Sequence, residues 1–216
     1  MVYVPAGEFI MGSNDGDDSE WPEHKVYLDG YWIYKYEVTV AQYRKFCRAT
    51  GRKMPDAPRW GWRDDHPIVN VSWDDVTAYA KWAGARLPTE AEWEKATRGT
   101  DGRRFPWGNE WDKSRCTYNL GSPVPVGRYP SGASPYGCMD TSGNVWEWCA
   151  DWHQADYYKN AARNNPRGPY SGRHRVLRGG SWNNDYYNYF RCAYRNDLVV
   201  PGARCDDYGF RCAKTP

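Results

Sequence analysis

Residues 86–94 read Arg86-Leu87-Pro88-Thr89-Glu90-Ala91-Glu92-Trp93-Glu94. Thr89 places a hydroxyl where a helix would begin and Glu92 stands three residues on, the spacing of a capping box that satisfies the first unpaired N–H groups. With Pro88 before and Gly99 after, this predicts a short helix. The same spacing recurs upstream in Thr39-Val40-Ala41-Gln42 and Ser72-Trp73-Asp74-Asp75. The first predicts a helix to about Thr50, stopped by Gly51. The second puts Val76, Tyr79, Ala80 and Ala83 on one core-facing stripe that ends at Gly84. Ahead of these helices, Met1–Met11 reads as a strand running into an acidic loop, and His24–Val38 as extended chain broken at Asp29-Gly30. After residue 100 only short apolar pieces remain, separated by Gly, Pro, Asn and Asp. No linker divides the halves, so residues 1–216 are expected to form a single α+β domain with small antiparallel sheets, few helices and much irregular structure.

Composition says what builds the core. Leu, Ile, Val and Phe total only 27 of 216 residues, a level that in a highly charged chain would signal disorder. Net charge is only +2, and 13 Trp and 18 Tyr replace the missing aliphatic area. A Leu-rich helical bundle is excluded, and the mixed charge offers no basic stripe for nucleic acid. The N-terminus has neither a basic nor an apolar leader region, and no apolar run approaches the roughly 18 residues of a membrane span. The chain is expected to be soluble and cytoplasmic at synthesis, reaching a virion or cell surface through a partner. Its 7 cysteines include no CxxC pair and read as free, buried thiols.

One short repeat is present. Phe190-Arg191-Cys192-Ala193 recurs as Phe210-Arg211-Cys212-Ala213. Both copies are expected to be strands carrying equivalent residues inward, with Tyr194–Gly209 exposed between them.

Eight segments, in order, resemble the formylglycine-generating enzyme family, also called the sulfatase-modifying factor family. They are Val4-Pro5-Ala6-Gly7-Glu8-Phe9 through Met11-Gly12, Tyr36-Glu37-Val38-Thr39, Pro67-Ile68-Val69-Asn70-Val71-Ser72-Trp73 and residues 86–94. They continue with Phe105-Pro106-Trp107-Gly108-Asn109, Gly143-Asn144-Val145-Trp146-Glu147-Trp148, Arg178-Gly179-Gly180-Ser181-Trp182 and Gly209-Phe210-Arg211. The resemblance implies a C-type lectin-like fold. In catalytic members a cysteine pair just after the Gly-Gly-Ser motif binds copper. Here residues 182–190 contain no cysteine, and Asn and Tyr do not replace the thiolates that Cu(I) requires. Copper oxidase activity is therefore not expected. Cys192 and Cys212 match family cysteines of structural disulfides, but the partner positions hold Ala80 and Thr97, so they are expected to pack as thiols.

The resemblance also implies a structural calcium ion at Asp140, Gly143, Val145 and Glu147, through two carboxylates and two backbone carbonyls, a donor set suited to a hard cation. The competing reading is a Trp-rich turn with Glu147 bonded to backbone. A second calcium site at Asn119 and Leu120 is not expected, because the loop Gly121–Val124 is shortened. No other cofactor is required.

Between Trp182 and Gly209, fixed-looking residues (Arg191, Cys192, Ala193, Arg195, Pro201 and Arg204) alternate with a set of restricted composition. That set is Asn183, Asn184, Asp185, Tyr186, Tyr187, Asn188, Tyr189, Tyr194, Asn196, Asp197, Leu198, Val199, Val200, Gly202, Ala203, Cys205, Asp206, Asp207 and Tyr208. All its residue types are reachable from an Asn codon by changing adenines alone. This is similar to the variable proteins of diversity-generating retroelements, which also end near a Gly-Phe-Arg motif, and implies a varied surface binding a macromolecular ligand, expected to be protein. Tyr gives rigid contact area and Asn and Asp adaptable hydrogen bonds, as in antibody paratopes. The alternative is an enzyme on the same scaffold with non-copper chemistry. His24, His66, His153 and His174 show no metal-ligand spacing. Asp64-Asp65, Asp74-Asp75 and Asp206-Asp207 read as a solvated loop, a helix N-terminus and binding residues respectively.

Overall fold

A computed structural model describes residues 1–196 and 198–216; the expected binding residue Asp197 lies outside the described residues. The three helices fall where their caps place them: α1 (Val40–Thr50), α2 (Trp73–Trp82) and α3 (Glu90–Arg98). The hydroxyls of Thr39, Ser72 and Thr89 accept from the N–H groups of Gln42, Asp75 and Glu92, whose side chains accept the cap N–H in return. Gly51 closes α1 in the left-handed region, at φ 71°.

Among the described residues nine short strands form three sheets. Strands β1 (Val2–Val4), β4 (Tyr31–Ile33) and β9 (Ala213–Lys214) tie the two chain ends together in the order β1-β4-β9. A hairpin joins β2 (Gly7–Met11) to β3 (His24–Leu28), with Phe9 opposite Val26. The third sheet orders β7 (Asn196–Val199), β6 (Arg175–Arg178), β5 (Trp146–Trp152) and β8 (Tyr208–Gly209). All pairings are antiparallel except β5 with β8, which run parallel with Trp146 opposite Tyr208. Among the described residues no helix is long and apolar enough to cross a membrane.

Rings fill the main core as the composition requires. Tyr43 of α1 meets Phe46 edge on at 5.2 Å, and Tyr79 of α2 meets Phe210 at 5.2 Å, with Trp148 and Leu177 closing the cluster. Ion pairs supply the rest. Every residue of α3 is buried, including Glu90, Glu92, Glu94, Lys95 and Arg98. Buried charges persist only when paired or well hydrogen-bonded, and these are. Arg178 joins Glu90 (3.1 Å) and Glu94 (2.5 Å), Arg195 joins Glu90 (2.7 Å), and Arg98 joins Glu94 (2.8 Å). Lys95 Nζ donates to the carbonyls of Pro5 and Gly7.

The four-residue repeat differs from its expected form. The first copy ends a 3-10 turn and enters a bend, and the second reaches a strand only at Ala213. The copies share side-chain chemistry. Phe190, Cys192, Phe210 and Cys212 are fully buried, and each arginine anchors on a buried glutamate, Arg191 on Glu20 (2.6 Å) and Arg211 on Glu147 (2.6 Å).

Candidate functional site

Strand β6 delivers the chain to the site. Gly179 (φ 101°) and Gly180 (φ 76°) turn it sharply, and a Cβ on Gly180 would press on the Tyr189 carbonyl at 3.2 Å, a conformation and clearance that favour glycine. The next residues are clamped through the backbone. Ser181 N–H donates to Asn184 Oδ1 (2.8 Å), Leu120 N–H to the Trp182 carbonyl (2.7 Å), Asn119 N–H to the Asn184 carbonyl (3.1 Å), and Tyr118 Oη to the Asp185 carbonyl (2.5 Å). Asn119 and Leu120 thus brace the segment 182–185 through their backbones.

On this base the tyrosines form a connected patch. Tyr186 contacts Tyr187 at 5.5 Å and Tyr189 at 5.6 Å, and Tyr189 reaches Tyr194 at 5.0 Å, which leans on Trp146 at 5.9 Å. Trp111 supports Tyr187 at 6.1 Å. Tyr186 and Tyr187 are 49% and 41% exposed, and Asn183 and Asp185 are also exposed; Asn184, Asn188, Tyr189 and Tyr194 are half-buried beneath them. Asn188 Nδ2 donates to Tyr186 Oη at 2.6 Å, fixing two members against each other.

The second arm follows β7. Leu198 (76% exposed), Val200 and Gly202 face solvent, while Asn196, Ala203, Cys205, Asp206 and Tyr208 are half-buried. Two expected contact residues lie beneath the surface. Val199 is 6% exposed and packs in the main core, and Asp207 is 6% exposed with its Oδ2 hydrogen-bonded to the Ser181 hydroxyl at 3.0 Å. The fixed-looking residues divide differently: Arg191, Cys192, Ala193 and Arg195 are buried, Pro201 is half-buried, and Arg204 is exposed in an ion pair with Asp75. Exposure thus separates most of the restricted-composition residues from most of the fixed ones.

All seven cysteines are free, and Cys205 is the one that is not fully buried. Burial pushes the thiol of Cys192, which lies closest in sequence to the Gly-Gly-Ser turn, up to about 12. A buried thiol held protonated makes a poor ligand or nucleophile.

Of the expected calcium residues, Asp140 and Glu147 lie near enough for their charges to interact. Asp140 adopts φ 59°, and its Oδ2 accepts the Gly127 N–H at 2.6 Å. Glu147 is fully buried, and its partners are the side chains of Arg211 and Trp93 Nε1 (2.9 Å), so neither carboxylate oxygen depends on backbone as the Trp-rich-turn reading supposed. Sequence reading missed Glu37. Its Oε2 accepts from Asn144 Nδ2 (2.8 Å), and its buried Oε1 has no hydrogen-bond partner. Burial, then Asp140 and Glu147, push the Glu37 carboxyl well up, and burial raises Asp140 to about 6. The three carboxylates share one guanidinium, Arg211, but their oxygens do not converge as closely as the ligand atoms of Cys205, Asp206 and Asp207 do. The signal was available in Tyr36-Glu37-Val38-Thr39, read only as a family segment.

A cavity of about 580 Å³ lies away from this face, between β3, α2 and the start of α3, lined by Leu28, Trp73, Arg86 and Glu92 among others. Arg86 holds Glu92 in a two-bonded pair there (2.6 and 2.7 Å).

The whole chain, residues 1–216, matches the family model described as the sulfatase-modifying factor enzyme 1-like domain. A formylglycine-generating enzyme of Thermomonospora curvata is 36% identical, over 100% of this chain and 93% of the relative. A protein of Chlamydia caviae named serine/threonine-protein kinase pkn1 is 37% identical over 99% of this chain, and the chain spans 38% of that relative's length. Among solved structures, PvdO from Pseudomonas aeruginosa superposes with a TM-score of 0.85 at 28% identity, covering 99% of this chain and 93% of its own. Treponema denticola variable protein 1 gives 0.83 at 26%, covering 100% and 95%. The P3c variant of the Major Tropism Determinant, at 16% identity and a TM-score of 0.52 over 85% of this chain and 50% of its own, shares the fold alone. The fold is C-type lectin-like of the formylglycine-generating enzyme type, with variable proteins among its structural neighbours.

Proposed function

The chain belongs to the sulfatase-modifying factor family, and from that premise we propose that it is a non-catalytic, receptor-type binding protein displaying a diversified surface over residues 182–208. One observation carries the reading: where catalytic relatives would hold copper, this chain has Asn183, Asn184, Asp185 and three tyrosines on a braced backbone, with Tyr186 and Tyr187 exposed. Rings with few torsions to freeze, beside adaptable polar groups, suit recognition of a macromolecular surface, here taken to be protein. The likeness to a variable protein at 26% identity over both chains supports it. A structural calcium ion would be held by Asp140 and Glu147 with the carbonyls of Gly143 and Val145, stiffening the scaffold.

A second reading, an enzyme with non-copper chemistry, is favoured by the cavity beside Arg86 and Glu92 and by relatives named as enzymes. Incubation of the copper-supplemented chain with a cysteine-containing sulfatase peptide, followed by mass spectrometry, tests the non-catalytic reading. The peptide is expected to remain unmodified. Stoichiometric loss of the thiol to formylglycine would overturn it.

A further inference from the structure

Cys205, Asp206 and Asp207 turn the chain from Arg204 into β8, and the carbonyl of each is held in place. Asn70 N–H (2.9 Å) and Tyr208 N–H (3.2 Å) donate to that of Cys205, Trp182 Nε1 (3.2 Å) to that of Asp206, and Trp146 N–H (2.8 Å) to that of Asp207. On this fixed backbone, Cys205 Sγ and one carboxylate oxygen from each aspartate lie within 4.8 Å of one another. Among the described residues this is the one such convergence of three potential metal ligands. Asp207 is 6% exposed; Ser181 engages its Oδ2, and its Oδ1 is closed to water without a hydrogen-bond partner. The adjacent cation does not neutralise the cluster, because Arg204 is paired with Asp75.

We propose that Cys205, Asp206 and Asp207 bind one divalent transition-metal ion of the zinc class. One thiolate beside two carboxylate oxygens suits a borderline ion, whereas calcium and magnesium take oxygen donors. Zinc bonds of 2.0–2.3 Å in tetrahedral geometry put ligand atoms roughly 3.3–3.8 Å apart, so small side-chain rotations from the observed spacing close the site. Binding replaces the thiol proton with the metal and releases that proton to water. Three protein ligands leave one position of a tetrahedral ion open. Water or a donor atom from a bound partner would complete the shell. The site stands whether or not the tyrosine patch binds a partner.

The test strips the full chain of metal and titrates it with Zn²⁺ against a chromogenic chelator, and with Co²⁺ by absorption. The expected result is one equivalent of zinc bound at micromolar affinity or tighter, with a near-ultraviolet thiolate-to-cobalt band. Cys205→Ser should lose the band and weaken zinc at least tenfold. Asp206→Asn should weaken zinc at least tenfold while keeping the band. Because the other six cysteines are buried, a band that survives Cys205→Ser would overturn the assignment. So would the absence of stoichiometric zinc uptake. If Cys205→Ser fails to fold by circular dichroism, unchanged affinity in Asp206→Asn would still overturn it.

Discussion

Arg211 grips Glu147 with two parallel hydrogen bonds, Nε to Oε2 at 2.6 Å and Nη2 to Oε1 at 2.6 Å, with both side chains buried. The same guanidinium donates to the carbonyls of Tyr34, Lys35 and Met139, so one side chain ties β5 to two loops. Removing one partner leaves an uncompensated buried charge, which typically costs about 3–5 kcal/mol. Arg211→Met is therefore expected to lower unfolding stability by about that amount in urea, with Glu147→Gln comparable. A loss below about 1 kcal/mol in both would remove this pair from the scaffold.

The binding face should tolerate change where the layer below it does not. Asp185→Ala and Tyr187→Ala are expected to shift stability by about ±0.5 kcal/mol, as exposed substitutions do. Phe190→Ala, three residues beyond Tyr187 and fully buried against Trp111 and Tyr118, should cost about 3–5 kcal/mol. Comparable losses at all three positions would mean that the exposed tyrosine is itself structural.

Calcium is expected to raise the melting temperature, because an ion that binds only the folded chain stabilises it by about 2.7 kcal/mol at a hundredfold excess over its dissociation constant. Chelator should reverse the shift, and Asp140→Ala should abolish it. A wild-type melting temperature that ignores both calcium and chelator would leave the carboxylates of Asp140 and Glu147 with purely protein-internal roles.

Asp151 sets a pH dependence. Burial first, then Glu90, push its carboxyl up to about 8, and its Oδ2 accepts the Glu90 N–H at 2.8 Å. The folded chain keeps a proton that the unfolded chain sheds above about pH 4. This group therefore favours folding most at low pH, and its contribution declines as pH rises towards about 8, by at most about 1.4 kcal/mol per unit. Asp151→Asn, which keeps the acceptor, should gain on the wild type as pH rises from 5 to 8 in urea melts. A difference that stays constant over that range would mean the carboxyl is ionised throughout.

What the sequence disclosed follows the range of each interaction. The caps at Thr39, Ser72 and Thr89 act over three residues, so spacing alone located the helices. The ring-built core followed from composition. The charged half of the core was hidden, because Arg178 meets Glu94 across 84 positions and Arg191 meets Glu20 across 171. The repeated Phe-Arg-Cys-Ala imitates a strand because a charged residue stands between apolar ones, yet all four residues of each copy are buried and the repeat serves to bring each arginine to a distant glutamate. In the site, residue type located the exposed tyrosines but not depth. Val199 and Asp207 share the composition of the surface set and lie beneath it.

The most direct measurement of the central claim, that residues 182–208 form a diversified binding surface, is the nucleotide sequence of the gene and its neighbourhood. The prediction is an imperfect repeat of codons 183–208 that differs from them only where the repeat carries adenine, concentrated at exposed positions such as Asp185, Tyr186, Tyr187 and Leu198. Differences scattered over other bases, or falling on the codons of buried Arg191, Cys192 and Arg195, would contradict it.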